Sequence, residues 1–172
     1  ADADWILKHG TEILSGLEYY GEGHTGNHLS NNGRGLYLAG LTFGIQNWVD
    51  AGEMILLENA RSVFLPTGAL REGSTHYHLL ICRWYLECWL VAERYNRPAA
   101  DQFLAICSKS LEALSSFTMP AGLPLIGDVS PDSPPSHIES LITDNPDGWF
   151  SGLGLVDQDR IRTLRNKVRM LC

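Results

Sequence analysis

The chain has 172 residues, 44% of them hydrophobic and 19% charged, with mean hydropathy −0.09 and net charge −7. That length builds one domain whose core needs no disulfide staples, its five Trp, six Tyr and five Phe exclude a disordered polymer, and no apolar run reaches the roughly 18 residues of a membrane span. The charge is split, with eight basic against twenty acidic residues (−12) in 1–159 and +5 in the last 13 residues, which excludes the broad basic face of a general nucleic-acid binder.

The opening ADADWILKHG shows neither a basic n-region nor an apolar h-region, so no signal peptide is expected in this chain. Trp5, Ile6, Ile13, Leu14 and Leu17 form a helical stripe broken by Gly10 and Gly16. Leu29, Leu36, Leu41 and Phe43 form the next, interspersed with Gly33, Gly35, Gly40 and Gly44. A mid-helix Gly costs about 1 kcal/mol against Ala. Four of them predict a very closely packed neighbour or a helix lining a cleft. Asn47, with an acid three residues on at Asp50, predicts the N-cap of a helix running from Trp48 to about Phe64. That helix would present Trp48, Met54, Ile55 and Val63. Leu65-Pro66-Thr67-Gly68 ends it, and 65–71 is the one stretch where a short strand is expected.

From Thr75 to Tyr95 the pattern is helical and apolar on several sides, through Leu79, Ile81, Cys82, Trp84, Tyr85, Leu86, Trp89 and Val91. This predicts a central buried helix. Pro98 suits the first position of the following helix, which carries Phe103, Leu104, Cys107, Leu111, Leu114 and Phe117. Residues 120–137 hold five of the eight prolines and, with 143–154, are expected to be structured loops. Residues 157–171 return to helix, with Ile161, Leu164, Val168 and Leu171 on one face. Arg160, Arg162, Arg165, Lys167 and Arg169 then read as its solvated face. Cys82, Cys88, Cys107 and Cys172 form no CxxC pair, and the first three read as reduced core thiols. The fold class is all-α: antiparallel helical hairpins in a single domain over 1–172.

Three polar clusters carry the candidate chemistry. In Gly26-Asn27-His28-Leu29-Ser30-Asn31-Asn32-Gly33-Arg34, Asn27 or His28 falls at a helix start, where unpaired N–H groups accept carboxylates. The bland reading is that Asn27 caps the helix and His28 packs. In Arg71-Glu72-Gly73-Ser74-Thr75-His76-Tyr77-His78, positive neighbours would favour a phenolate at Tyr77. The bland reading is a core Tyr with solvated neighbours. His76 and His78 sit two apart and point away from each other, and Glu72/His76 is a weak metal spacing, so no metal and no cofactor is expected. Asp128 and Asp132, in Gly127-Asp128-Val129-Ser130-Pro131-Asp132, are either turn formers or a carboxylate pair for glycoside hydrolysis.

Taken in order, GNHLSNNGRGLYLAG, GALREGSTHYHLL and MPAGLPLIGDVSPD resemble the heparinase II/III-like polysaccharide lyases, over about residues 24 to 135. The resemblance implies an incomplete (α/α) toroid, followed in that family by an antiparallel β-sandwich that this chain lacks. It therefore implies a piece of a longer protein, partnered by the missing sandwich or by self-association. It implies β-elimination of a uronic-acid glycan at a periplasmic or secreted location. Asn27 and His28 match the pair that holds the uronate carboxyl group, and Tyr77 matches the proton-transfer residue. Arg71 and Arg34 are candidate substrate-binding cations. A catalytic His from the sandwich is missing, with His76 or His78 as weak substitutes. The −12 of residues 1–159 favours a lightly charged acidic polysaccharide over a highly sulfated one. The alternative is a non-catalytic helical glycan-binding or scaffold module, and a third class is an inverting glycosidase using Glu72 or Asp128.

Overall fold

The computed structural model describes residues 2–21, 26–120, 122–143 and 145–169. The expectations for Leu171 and Cys172 lie outside them. Seven α-helices occur among the described residues: α1 (Asp2–Ser15), α2 (Asn27–Phe43), α3 (Gln46–Val63), α4 (Thr75–Arg94), α5 (Ala100–Ser115), α6 (Pro135–Glu139) and α7 (Leu155–Arg169), with a 3-10 turn at Trp149–Gly152. The region expected to hold a strand contains only an isolated bridge between Phe64 and Leu70. None of these helices is long and apolar enough to cross a membrane.

Helices α2 and α3 form a hairpin around Gly44, whose φ of +71° is open to glycine, and whose N–H donates to the Gly40 carbonyl. The glycines explain the tightness of the pair. A Cβ on Gly52 would lie 2.5 Å from Tyr37 N, one on Gly40 2.7 Å from Val49 N, and one on Gly33 2.7 Å from Ile55 Cγ2. Close packing, the first of the two expectations for this glycine series, is what Gly33 and Gly40 serve. Gly10 does the same for α1: its Cα faces the Trp48 ring, where a Cβ would overlap the indole. Leu29, Leu36, Trp48 and Ile55 form the small core beneath α1, joined by Ile6, Ile13, Leu14 and Leu17.

The larger core surrounds α4, which is buried on all sides through Leu79, Ile81, Cys82, Tyr85, Leu86 and Cys88. A single amphipathic stripe is absent because α2, α5 and α6 all pack on this one helix. Cys82, Cys88 and Cys107 are free and buried. Burial pushes the Cys82 thiol up to about 12 and the other two upward.

Several local expectations change. Trp5 is exposed, because the stripe of α1 turns Ile6, Ile13 and Leu14 inward instead. Helix α3 starts one residue before Asn47, with Ile45 as N-cap and no side-chain cap, while Gln46 Nε2 donates to Asp50 Oδ1 at 2.6 Å. Met54 is exposed. Pro98 precedes the cap residue Ala99 rather than opening α5, and Phe117 lies beyond its end. The 120–137 loop closes into the short helix α6 at Pro135. On α7, Ile161, Leu164 and Val168 are buried, but its basic side is only partly solvated: the Arg162 and Arg165 guanidinium groups lie 5.0 and 5.7 Å from the centre of the Phe150 ring.

Candidate functional site

The start of α2 is anchored from beneath by a buried polar chain. Tyr85 Oη donates to the Leu56 carbonyl at 2.9 Å and lies 3.5 Å from Ser30 Oγ. Asn59 Nδ2 donates to Ser30 Oγ at 2.8 Å and to the Gly26 carbonyl at 3.0 Å. These contacts tie the first turn of α2 to α3 and α4, and so set where Asn27 stands.

The start of α4 is anchored to the proline-rich loop. Ser74 is its N-cap, accepting from Tyr77 N at 3.0 Å while its own hydroxyl donates to the Asp128 carbonyl at 2.6 Å. Thr75 Oγ1 donates to the Pro124 carbonyl at 2.7 Å and accepts from Ile126 N at 3.0 Å. His76 Nδ1 accepts from Ser130 N at 3.2 Å, so Nε2 carries the proton and donates to the Ser133 carbonyl at 2.8 Å. Ser74, Thr75 and His76 thereby hold Asp128 beside Tyr77.

His78 follows the same logic on the opposite side of α4. Its Nδ1 accepts from Leu70 N at 3.0 Å and its Nε2 donates to the Ser110 carbonyl at 2.8 Å, while burial lowers its basicity. Both imidazoles are buried with every ring nitrogen committed to backbone. This corrects the expectation that either substitutes for a missing catalytic His or supplies positive charge to the phenol. Among the described residues, no group of three His, Cys, Asp or Glu is placed to hold a metal ion.

A cavity of about 470 Å³ opens between the two anchored helix starts, lined by Glu18, Tyr20, Gly26, Asn27, His28, Glu72, Tyr77 and Asp128. It brings together Asn27 and His28 from one motif and Tyr77 from another fifty residues on. Glu72 links the two. Asn27 Nδ2 donates to Glu72 Oε2 at 3.4 Å. Helix α2 has no side-chain cap of its own, and Glu72 lines the cavity beside the anion-accepting helix start that was expected to receive a ligand. Burial raises the Glu72 pKa, His28 opposes that rise, and Asp128 adds to it.

Asn27 is buried, as expected of a residue held in place, but its side chain does not cap. His28 does not pack: its side chain is 72% exposed, with Nδ1 3.0 Å from Glu18 Oε2. Tyr77 is half-buried at the cavity wall. Arg34 does not reach the cavity. It lies two turns along α2, where its Nε donates to Glu87 Oε2 at 2.6 Å, in a cluster with Arg83 and Trp149. Arg71 is exposed and also stands outside the lining, with its backbone N–H donating to the Val63 carbonyl at 2.9 Å. The Asp128/Asp132 pairing does not form at the cavity: Asp128 lines it, while Asp132 belongs to a turn in which its N–H donates to Ser130 Oγ at 3.4 Å. The carboxylate of Glu18 and the ring of Tyr20 are lining groups that no motif announced, because they reach the cavity from the linker after α1.

The family model described as "Heparinase II/III N-terminus" matches residues 4–143. No curated protein and no solved structure matches the chain.

Proposed function

From the premise that this chain belongs to the heparinase II/III N-terminus family, we propose that its cavity binds and eliminates a uronic-acid-containing glycan. The single observation that carries the reading is the meeting of Asn27, His28 and Tyr77 in one cavity, from stretches of chain fifty residues apart.

A 4-linked uronate resists loss of its C5 proton because the adjacent carboxylate is already negative. Hydrogen bonds from Asn27 and His28 to that carboxylate make the enolate-like intermediate accessible. Tyr77 as phenolate takes the C5 proton. The C5 electron pair becomes the C4=C5 double bond, the C4–O4 bond breaks, and the proton on the phenol passes to the departing oxygen. Glu72 holds Asn27 in place during this exchange. Glu18, Glu72 and Asp128 in the lining favour a lightly charged uronate polymer over a sulfated one.

The test is incubation with a panel of uronate polymers, following the ultraviolet absorbance of the unsaturated uronate. We expect absorbance to rise with the unaltered protein, to vanish with Tyr77→Phe, and to slow with Asn27→Ala more than binding weakens. Unchanged turnover by Tyr77→Phe removes the assignment. The second reading, a helical module that holds glycan without cleaving it, draws on the Glu18 carboxylate already lying on His28. It predicts oligosaccharide binding with no product. New reducing ends without unsaturation would instead indicate hydrolysis through Glu72 or Asp128.

A further inference from the structure

Acid groups dominate the cavity. Glu18, Glu72 and Asp128 line it, and among the described lining residues there is no Lys or Arg. A uronate carboxylate entering meets three like charges and requires a cation to hold it. Among the described lining residues, His28 is the one able to become a cation. Its Nδ1 lies 3.0 Å from Glu18 Oε2. Glu18 is itself fixed, because its backbone N–H donates to Asn32 Oδ1 at 3.0 Å, one turn beyond His28 on α2. An ionised carboxylate only accepts, so the proton of that contact sits on Nδ1. Nε2 is the ring nitrogen that remains for a ligand.

We propose that Glu18 is a positioning residue that makes His28 a bridge between two carboxylates, with Nδ1–H donating to Glu18 and Nε2–H donating to the uronate carboxyl group. Binding the uronate then takes up one proton from solvent at Nε2, and product release returns it. Among the described residues, the titratable groups that share the cavity with His28 are Glu18 from the linker after α1, Glu72 from the turn before α4 and Asp128 from the proline-rich loop, with Tyr20 and Tyr77 as phenols. The idea rests on the lyase reading for its ligand, and it adds a residue that lies in none of the three motifs.

The experiment uses the whole chain and an unsulfated glucuronate tetrasaccharide as probe. The His28 ring titration is read by nuclear magnetic resonance, and the Kd by calorimetry in buffers of different ionisation enthalpy. For the unaltered protein, Kd rises about tenfold per pH unit above the His28 midpoint, with about one proton taken up there. In Glu18→Gln the midpoint and the break in Kd move together to lower pH, so neutral-pH affinity falls while affinity below both midpoints is kept. Glu18→Asp restores part of the shift. Asn32→Ala, which frees the Glu18 backbone without touching either charge, moves both readings in the same direction as Glu18→Gln. An unmoved His28 midpoint in Glu18→Gln overturns the proposal. So does tighter binding at every pH, which would make the contact a block on the site. Failure of the lyase reading is seen separately, as proton-coupled binding without unsaturated product from any uronate polymer.

Discussion

Adding one methyl group at Gly52 isolates the contact that sets the α2–α3 spacing. Judged by helix propensity alone, Gly52→Ala should stabilise an exposed helix by about 1 kcal/mol. In the folded protein the new Cβ would stand 2.5 Å from Tyr37 N, 2.6 Å from the Gly33 carbonyl oxygen and 2.9 Å from Tyr37 Cα. These are backbone atoms of α2, and no side-chain rotation relieves them. Ordinary contact begins near 3.4 Å, so the helices must part by roughly 1 Å at a point where Tyr37 is wholly buried. Overpacking of this kind costs about 1–3 kcal/mol and occasionally more. Because the strain falls on two backbones, the upper end applies, and after the propensity gain a net loss of about 2 kcal/mol is expected. Gly35 is the control, since its Cβ would meet only Ile13 Cδ1, at 3.7 Å. Gly35→Ala should therefore gain about 0.5–1 kcal/mol. Urea unfolding followed by circular dichroism reads both, with the slope unchanged and the midpoints moving in opposite directions. A Gly52→Ala protein as stable as the unaltered one would refute the reasoning.

Asn59→Ala removes the donor shared by Ser30 Oγ and the Gly26 carbonyl. It should cost about 1–3 kcal/mol in urea unfolding. For His78, burial lowers the folded pKa below the ordinary 6.5. Its contribution to stability is complete above pH 6.5 and is lost as the pH falls from there toward the folded value, because the unfolded chain binds the proton first. Urea midpoints taken stepwise from pH 8 to pH 5 should begin to drop near 6.5, and His78→Gln should flatten that drop. Cys82, Cys88 and Cys107 should resist thiol-specific alkylation in the native state and label fully in denaturant, as mapped by mass spectrometry. Rapid native labelling of any of the three would contradict their burial.

The order and approximate limits of the six longer helices were legible in the sequence, five because a helix that hides one face leaves a 3.6-residue period and α4 because it is apolar on several sides, whereas the short α6 lies in a stretch that read as loop. The glycine series announced close packing because costly residues inside a helix need a compensating contact, which Gly33 and Gly40 have, while Gly35 is uncrowded and Gly44 serves the turn. Boundaries slipped by one or two residues at Asn47 and Pro98, where capping chemistry was read without its tertiary partners. The two helix-start motifs were visible as unusual polar clusters, and their meeting was an expectation carried by resemblance.

What no periodicity records is where side chains from distant segments converge. His76 and His78 look identical on paper. Only the packing of residues 130–133 against one, and of Leu70 and Ser110 against the other, commits their ring nitrogens to backbone. Arg34 and Arg71 read as cleft cations because positive charge was wanted there, yet Glu87 holds the first two turns away and the second stays at the surface. Glu18 was unreadable because a linker leaves no repeat, and its contact with His28 depends on how α1 hands the chain over to α2. Local patterning thus decides which segments are helices and which of their faces are buried. The charge and hydrogen-bonding state of the cavity is decided by long-range neighbours, since a titratable group answers to what lies within a few ångströms in space and not to what lies beside it along the chain.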